Sequence, residues 1–198
     1  MNDNTLRGLR KQALRAAQLI GWAKPNPESH DDSSATPGGL CAAECQALRQ
    51  TLLLTQAEAA AWLSTPPVSE RAWQYWEAGK RAVPADVAAN LRSACAQREH
   101  LMATALAAIE QQPGHKPVAV WYAKADDWKW TMRGIGPDWK LHNSVVAQLA
   151  CQGRVQLVAF DEAAYVEWSA PLPPVMAASE MARHVRWAAE RLIRSSGI

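Results

Sequence analysis

The chain has 198 residues, 48% of them hydrophobic and 20% charged, with a formal net charge of +2. This length and mix suit one or two globular domains with real cores. The near-neutral balance excludes a chain that holds polyanions by bulk charge, so any nucleic-acid surface must come from local placement of cations.

Cys41, Cys45, Cys95 and Cys151 form no CxxC, and the five histidines form no HExxH pair, so no metal site, cofactor or disulfide framework is indicated. No run of about eighteen apolar residues occurs, and residues 1–22 carry charges where a secretory leader needs an unbroken apolar stretch. A cytoplasmic protein without a membrane span is expected. The ten Trp beside a single Phe are unusual, but need no cofactor to account for them.

In chain order, residues 3–22 repeat Leu6, Leu9, Ala13 and Ile20 at helical spacing and place Arg7, Arg10, Lys11 and Arg15 toward water, a short basic helix. Residues 24–39, rich in Pro, Ser, Asp and Gly, bury too little to offset their ordering entropy and read as a linker. Residues 44–53 are helical, with Cys45, Leu48 and Leu52 on one side. Thr55-Gln56-Ala57-Glu58 is a capping box that starts a second helix with a small-residue face. Thr65-Pro66-Pro67 stops it, Ser69 caps a third helix reaching Ala78, and Gly79 suits the position just past its end.

Pro84 opens a long helix over residues 85–112. Residues 117–122 and 155–160 then read as strands, residues 138–151 as a helix, and the stretch around 177–195 as a final amphipathic helix with Arg183, Arg186, Arg191 and Arg194. The expected class is mostly α with a small α+β C-terminal part. Its expected segments are 1–40 (basic helix and linker), 41–112 (three short helices and the long one), 113–170 (α+β unit) and 171–198 (terminal helix).

The third short helix divides into two faces. Ser69, Ala72, Trp73 and Trp76 cluster on one side, while Arg71, Gln74, Tyr75 and Ala78 lie opposite. Arg clamps guanine through O6 and N7, and Gln pairs with adenine through N6 and N7, so the second face has the chemistry for reading bases in a major groove. Gln56 at the start of the second helix, with Lys80 and Arg81 past the third, suits phosphate contacts that set register and salt dependence. Trp73 and Trp76 read as core. Glu77 would repel phosphates if exposed, so it reads as a partner for Arg49. Glu70 either offsets the helix dipole or accepts from a cytosine amine.

Residues 53–84 resemble the Xre/Cro-type helix-turn-helix in length and order. More narrowly, Ala43-Glu44-Cys45-Gln46-Ala47-Leu48-Arg49-Gln50, Trp73-Gln74-Tyr75-Trp76-Glu77-Ala78-Gly79-Lys80, Val83-Pro84 and Asp138-Trp139-Lys140-Leu141-His142-Asn143-Ser144-Val145-Val146-Ala147 resemble the YdiL-like family, which includes anti-CRISPR-associated (Aca) regulators. The resemblance covers about residues 42–160. It implies an Xre/Cro-like DNA-binding domain followed by a dimerisation domain, and repression of the protein's own operon through an inverted repeat. It assigns recognition to Arg71, Gln74 and Tyr75, backbone contacts to Gln56 and Ser69, and a structural ion pair to Arg49 and Glu77. The turn Ser64-Thr65-Pro66-Pro67-Val68 departs from the family's usual glycine-bearing turn.

One helix in one groove reads only a few base pairs, so a homodimer is expected, with two heads about 34 Å apart on successive major grooves. The apolar, Trp-rich residues 118–130 look too large for a small unit to bury alone, which points to the 117–160 unit, alone or with the long helix, as the contact between copies. RNA binding is an alternative, because Arg and aromatic side chains also serve unpaired bases. A protein-interaction adaptor on the same scaffold is another. Ser144 with His142, or Asp126-Asp127 with His115, shows no recognised nucleophile or metal spacing, so no enzyme is expected.

Overall fold

The computed structural model describes residues 39–111, 114, 116–131, 137–173 and 177–195. The helix expected over residues 3–22 lies outside them, as does all but the last residue of the expected linker. Among the described residues the chain divides into an N-terminal unit ending at Glu99 and a C-terminal unit beginning at His100.

In the N-terminal unit, α1 (Ala42–Thr51), α2 (Gln56–Trp62) and α3 (Glu70–Glu77) precede the long α4 (Ala85–Glu110). Each short helix starts on a side chain that satisfies an orphan N–H. The Cys41 thiol accepts from Glu44, the Thr55 hydroxyl from Glu58 and the Ser69 hydroxyl from Ala72. At the first two, the Glu carboxylate returns to the capping backbone N–H and closes a capping box.

The ends of α1 and α3 are also alike. Leu54 N–H reaches the Arg49 carbonyl and Lys80 N–H reaches the Tyr75 carbonyl, so each chain reverses through a left-handed residue. That residue is Gly79 (φ 68°) after α3 but Leu53 (φ 57°) after α1, which ends α1 before the expected residue 53. Ala59 and Ala60 are fully buried, and their small side chains allow α2 to approach α3 closely. Trp73 (0% exposed) and Trp76 (7%) pack edge to face at 5.4 Å, and Leu52, Leu54, Val87 and Leu91 are buried in the same unit. The turn between α2 and α3 contains a cis Thr65–Pro66 peptide. Ser64 Oγ donates to the Ala60 carbonyl and accepts from Val68 N–H.

The C-terminal unit is built on two parallel strands, β1 (Val118–Trp121) and β2 (Gln156–Ala159), in register from Val118 opposite Gln156 to Trp121 opposite Ala159. A parallel pair needs a crossover. Here it runs through the short α5 (Ala125–Trp128), a 3-10 turn (Lys129–Thr131) and α6 (Pro137–Cys151). Helix α7 (Glu162–Ser169) and the terminal α8 (Ala177–Ser195) follow β2. Sequence periodicity missed α5 and α7, which are one and two turns long.

Met102 and Ala105 of α4 share a core with Ala119, Val145, Val146, Leu149 and Val155. The last part of the long helix, expected to belong with the three short ones, therefore packs with the C-terminal unit. Helix α8 is equally integral to it, lying against β1, the 3-10 turn and α7. The structure is thus mostly helical with a small α+β C-terminal part.

Residues 118–130 do not behave as expected. Ala119, Val120, Tyr122 and Trp128 are all buried by this chain itself, under α6, β2 and α8. That segment is satisfied within one copy, so its apolar character gives no reason for a second.

Candidate nucleic-acid interface

Helix α3 has one buried and one open side. Trp73 and Trp76 anchor it, while Ser69, Glu70, Arg71 and Gln74 are exposed and Tyr75 is half-exposed. Because the anchors occupy positions three apart, the residues between them must project outward. Arg71 Nε donates to Tyr75 Oη at 3.0 Å, and its guanidinium carbon lies 5.7 Å from the Tyr75 ring centre.

The reversal at Gly79 brings the following cations back over the same ring. Lys80 Nζ is 5.6 Å and the Arg81 guanidinium carbon 5.2 Å from its centre. Tyr75 therefore gathers three cations, two of them placed by the glycine turn. Cation–π attraction holds them loosely while leaving their N–H groups able to meet phosphate or base edges.

Behind this face lies a buried carboxylate. Glu77 accepts from Arg49 Nε (2.5 Å) and Nη2 (3.0 Å), Gln56 Nε2 (2.8 Å) and Trp73 Nε1 (2.6 Å). Arg49 Nη1 donates to the Leu54 carbonyl at 2.6 Å, just past the end of α1. One carboxylate thus ties together all three short helices. Burial pushes the Glu77 carboxyl upward, but the hydrogen bonds from Arg49, Gln56 and Trp73 outweigh it and hold the group below the usual carboxylate range. Burial, then the neighbouring Glu77 charge, pushes the Cys45 thiol up to about 11.

The structure brings Arg71, Tyr75, Lys80 and Arg81 together on one surface, with Gln74 on the same exposed side of α3. Ser69 is occupied as the cap of α3, and Glu70 lies exposed in its first turn. Gln56 is drawn toward Glu77, an arrangement that sequence alone did not reveal. Its amide carries two hydrogens and Glu77 takes one. The Arg71–Tyr75 bond was also missed, although their separation of four residues on a helix is the signal that announces such a pair.

Ser144 Oγ donates to the Leu141 carbonyl, and His142 Nε2 donates to the Val120 carbonyl at 2.8 Å. Asp127 is buried beside Lys124, and His115 lies outside the described residues. No group of three metal-ligating side chains occurs among the described residues, and no described helix is long and apolar enough to cross a membrane.

Comparison with known proteins places this surface in context. The model of the Aca2/YdiL-like family matches residues 40–158. The chain is 34% identical over 122 residues to the Aca2 repressor of Pectobacterium phage ZF40, covering 58% of this chain and 97% of that relative. It is 31% identical over 106 residues to YdiL of Escherichia coli (strain K12), described as an uncharacterized protein, covering 54% of this chain and 89% of YdiL. With the matched stretch running from just before α1 into β2, more than half of the chain, the chain belongs to the Aca2/YdiL-like family.

Proposed function

We propose that this chain is a sequence-specific DNA-binding transcriptional repressor, acting in the cytoplasm as a homodimer on an inverted-repeat operator and repressing its own operon. The reading rests on the exposed Arg71, Gln74 and Tyr75 face, flanked by Lys80 and Arg81 and anchored from behind by two buried indoles. That a relative is named a repressor supports it.

Arg71 supplies forked donors and Gln74 a donor beside an acceptor for base edges, whereas Lys80, Arg81, Gln56 and the capped start of α2 supply phosphate contacts. Repression follows if the bound dimer occludes polymerase at the promoter. The case for two copies rests on the symmetry of an inverted repeat. The reading assigns no catalytic step and no cofactor.

Selection of bound duplexes from a random pool tests it. An inverted repeat with half-sites about one helical turn apart is the expected product. Arg71→Ala should weaken binding to that repeat by about tenfold or more with the helical circular dichroism unchanged. Equal affinity for selected and scrambled duplexes sinks sequence-specific DNA recognition, and a monomer on the duplex sinks the dimer. Tighter binding to the corresponding transcript at matched salt would replace DNA by RNA as the target.

A further inference from the structure

Helices α7 and α8 lie beyond residue 158, where the family match ends. Between them is a cleft of about 360 Å³ lined by Trp168, Trp187, Pro171, Glu167, Arg191 and Arg194, a size in the range of small-molecule sites. Its walls are held in place. Trp168 Nε1 donates to Glu190 Oε2 at 2.8 Å, and the Arg186 guanidinium lies 5.4 Å from the Trp168 ring while its Nε donates to the same Glu190. Trp187 is 2% exposed and packs edge to face on Phe160.

The rim is also ordered. Arg191 lies over Trp187 at 5.4 Å and donates to Asp161 Oδ2 at 2.9 Å. The Ala164 N–H, then Arg191, keeps the Asp161 carboxyl below its ordinary value, so this clamp stays charged. Exposed Arg194 stands one helical turn further along α8.

The lining sets the ligand. Because Glu190 already takes the Trp168 N–H, the Trp168 ring offers the cleft apolar surface, and with Arg191 clamped to Asp161 the guanidinium left for recognition is that of Arg194, with the Glu167 carboxylate also on the lining. We propose that this cleft binds a small planar aromatic monocarboxylate, its ring between α7 and α8 and its carboxylate on Arg194. Dianions are disfavoured by Glu167, and aliphatic acids by the loss of ring contact. Prior ordering of the walls lowers the cost of binding.

Calorimetric titration of the full chain with indole-3-acetate, indole-3-acetamide and acetate tests the site. Saturable one-to-one binding of the aromatic acid is expected, about tenfold or more tighter than the amide, with acetate inert. Arg194→Ala, an exposed change on the last turn of α8, should weaken the acid by a similar factor, and Arg154→Ala on a distant loop should not. Absence of saturation with indole-3-acetate, equal binding of acid and amide, or an unchanged affinity in Arg194→Ala would each overturn the proposal.

Discussion

The two units differ in how their buried polar groups are satisfied. In the N-terminal unit the buried group is a charge, Glu77, surrounded by donors from Arg49, Gln56 and Trp73. In the C-terminal unit neutral side chains are buried beside two acids, Asp127 and Glu180. Asn143 bridges the backbone N–H and carbonyl of Tyr122, while Tyr122 Oη and His184 Nδ1 are hydrogen bonded at 2.9 Å. Tyr165 donates to Glu180, and burial followed by that bond pushes its phenol upward.

His184 is wholly buried, and burial, then Arg183 and His142, drives its pKa down to about 3. Glu180 Oε1 lies 3.8 Å from its Nε2, too far for a hydrogen bond that would offset burial. The paired charge fastens α3, whose outer face carries Arg71, to the two helices before it.

The sharpest way to break this contrast is to remove the charge. Glu77→Ala leaves Arg49 buried without a counter-charge and should cost about 3–5 kcal/mol in urea unfolding of the N-terminal unit. A loss below about 1 kcal/mol would mean that the cluster is ornamental.

Acid should separate the units next. His184 has a folded pKa below its ordinary 6.5, so the unfolded chain takes up its proton first and stability falls as pH drops from about 6.5 toward 3. Between pH 6.5 and 5 the C-terminal unit should lose about 2 kcal/mol, a loss abolished in His184→Gln. The depressed Glu77 carboxyl works in the same direction but only below its ordinary 4.5. Amide hydrogen exchange at pH 5 should therefore show the C-terminal unit opening first, and simultaneous opening would refute the distinction.

Smaller effects sharpen the surface side. Lys80→Ala should weaken duplex binding evenly across sequences and lower the slope of log affinity against log salt by about 1. A change confined to one base position would make Lys80 a reader of sequence. Smallest in energy is a labelling test. Iodoacetamide at pH 8 should modify exposed Cys41 and Cys151 while sparing buried Cys45, and rapid loss of the Cys45 thiol would show the hub opening.

Much of the fold was legible because local rules act over a few residues. Thr55 with Glu58, Ser69 before an apolar pair and Gly79 after it marked the ends of α2 and α3, and the last amphipathic run marked α8 at Ala177–Ser195. The short α5 and α7 escaped because one or two turns carry too little periodicity. The Leu53 reversal escaped because nothing in a leucine announces a left-handed backbone.

At the candidate site, the outward set of Arg71, Gln74 and Tyr75 followed from helix geometry, and the Arg49–Glu77 partnership from the cost of leaving an acid beside phosphates. The capture of Gln56 and Trp73 Nε1 by Glu77, and the folding of Lys80 and Arg81 over Tyr75, required the angles between helices.

By itself, then, the sequence determined where the longer helices run, which caps start α2 and α3, and which face of α3 is apolar, all consequences of spacing along one chain. Tertiary structure decided that residues 118–130 are covered by their own chain, that the end of α4 and the whole of α8 complete the C-terminal core, and that two indoles and two arginines line one cleft. Those outcomes depend on contacts between residues far apart in sequence, which no local pattern encodes because they form only when separate elements pack.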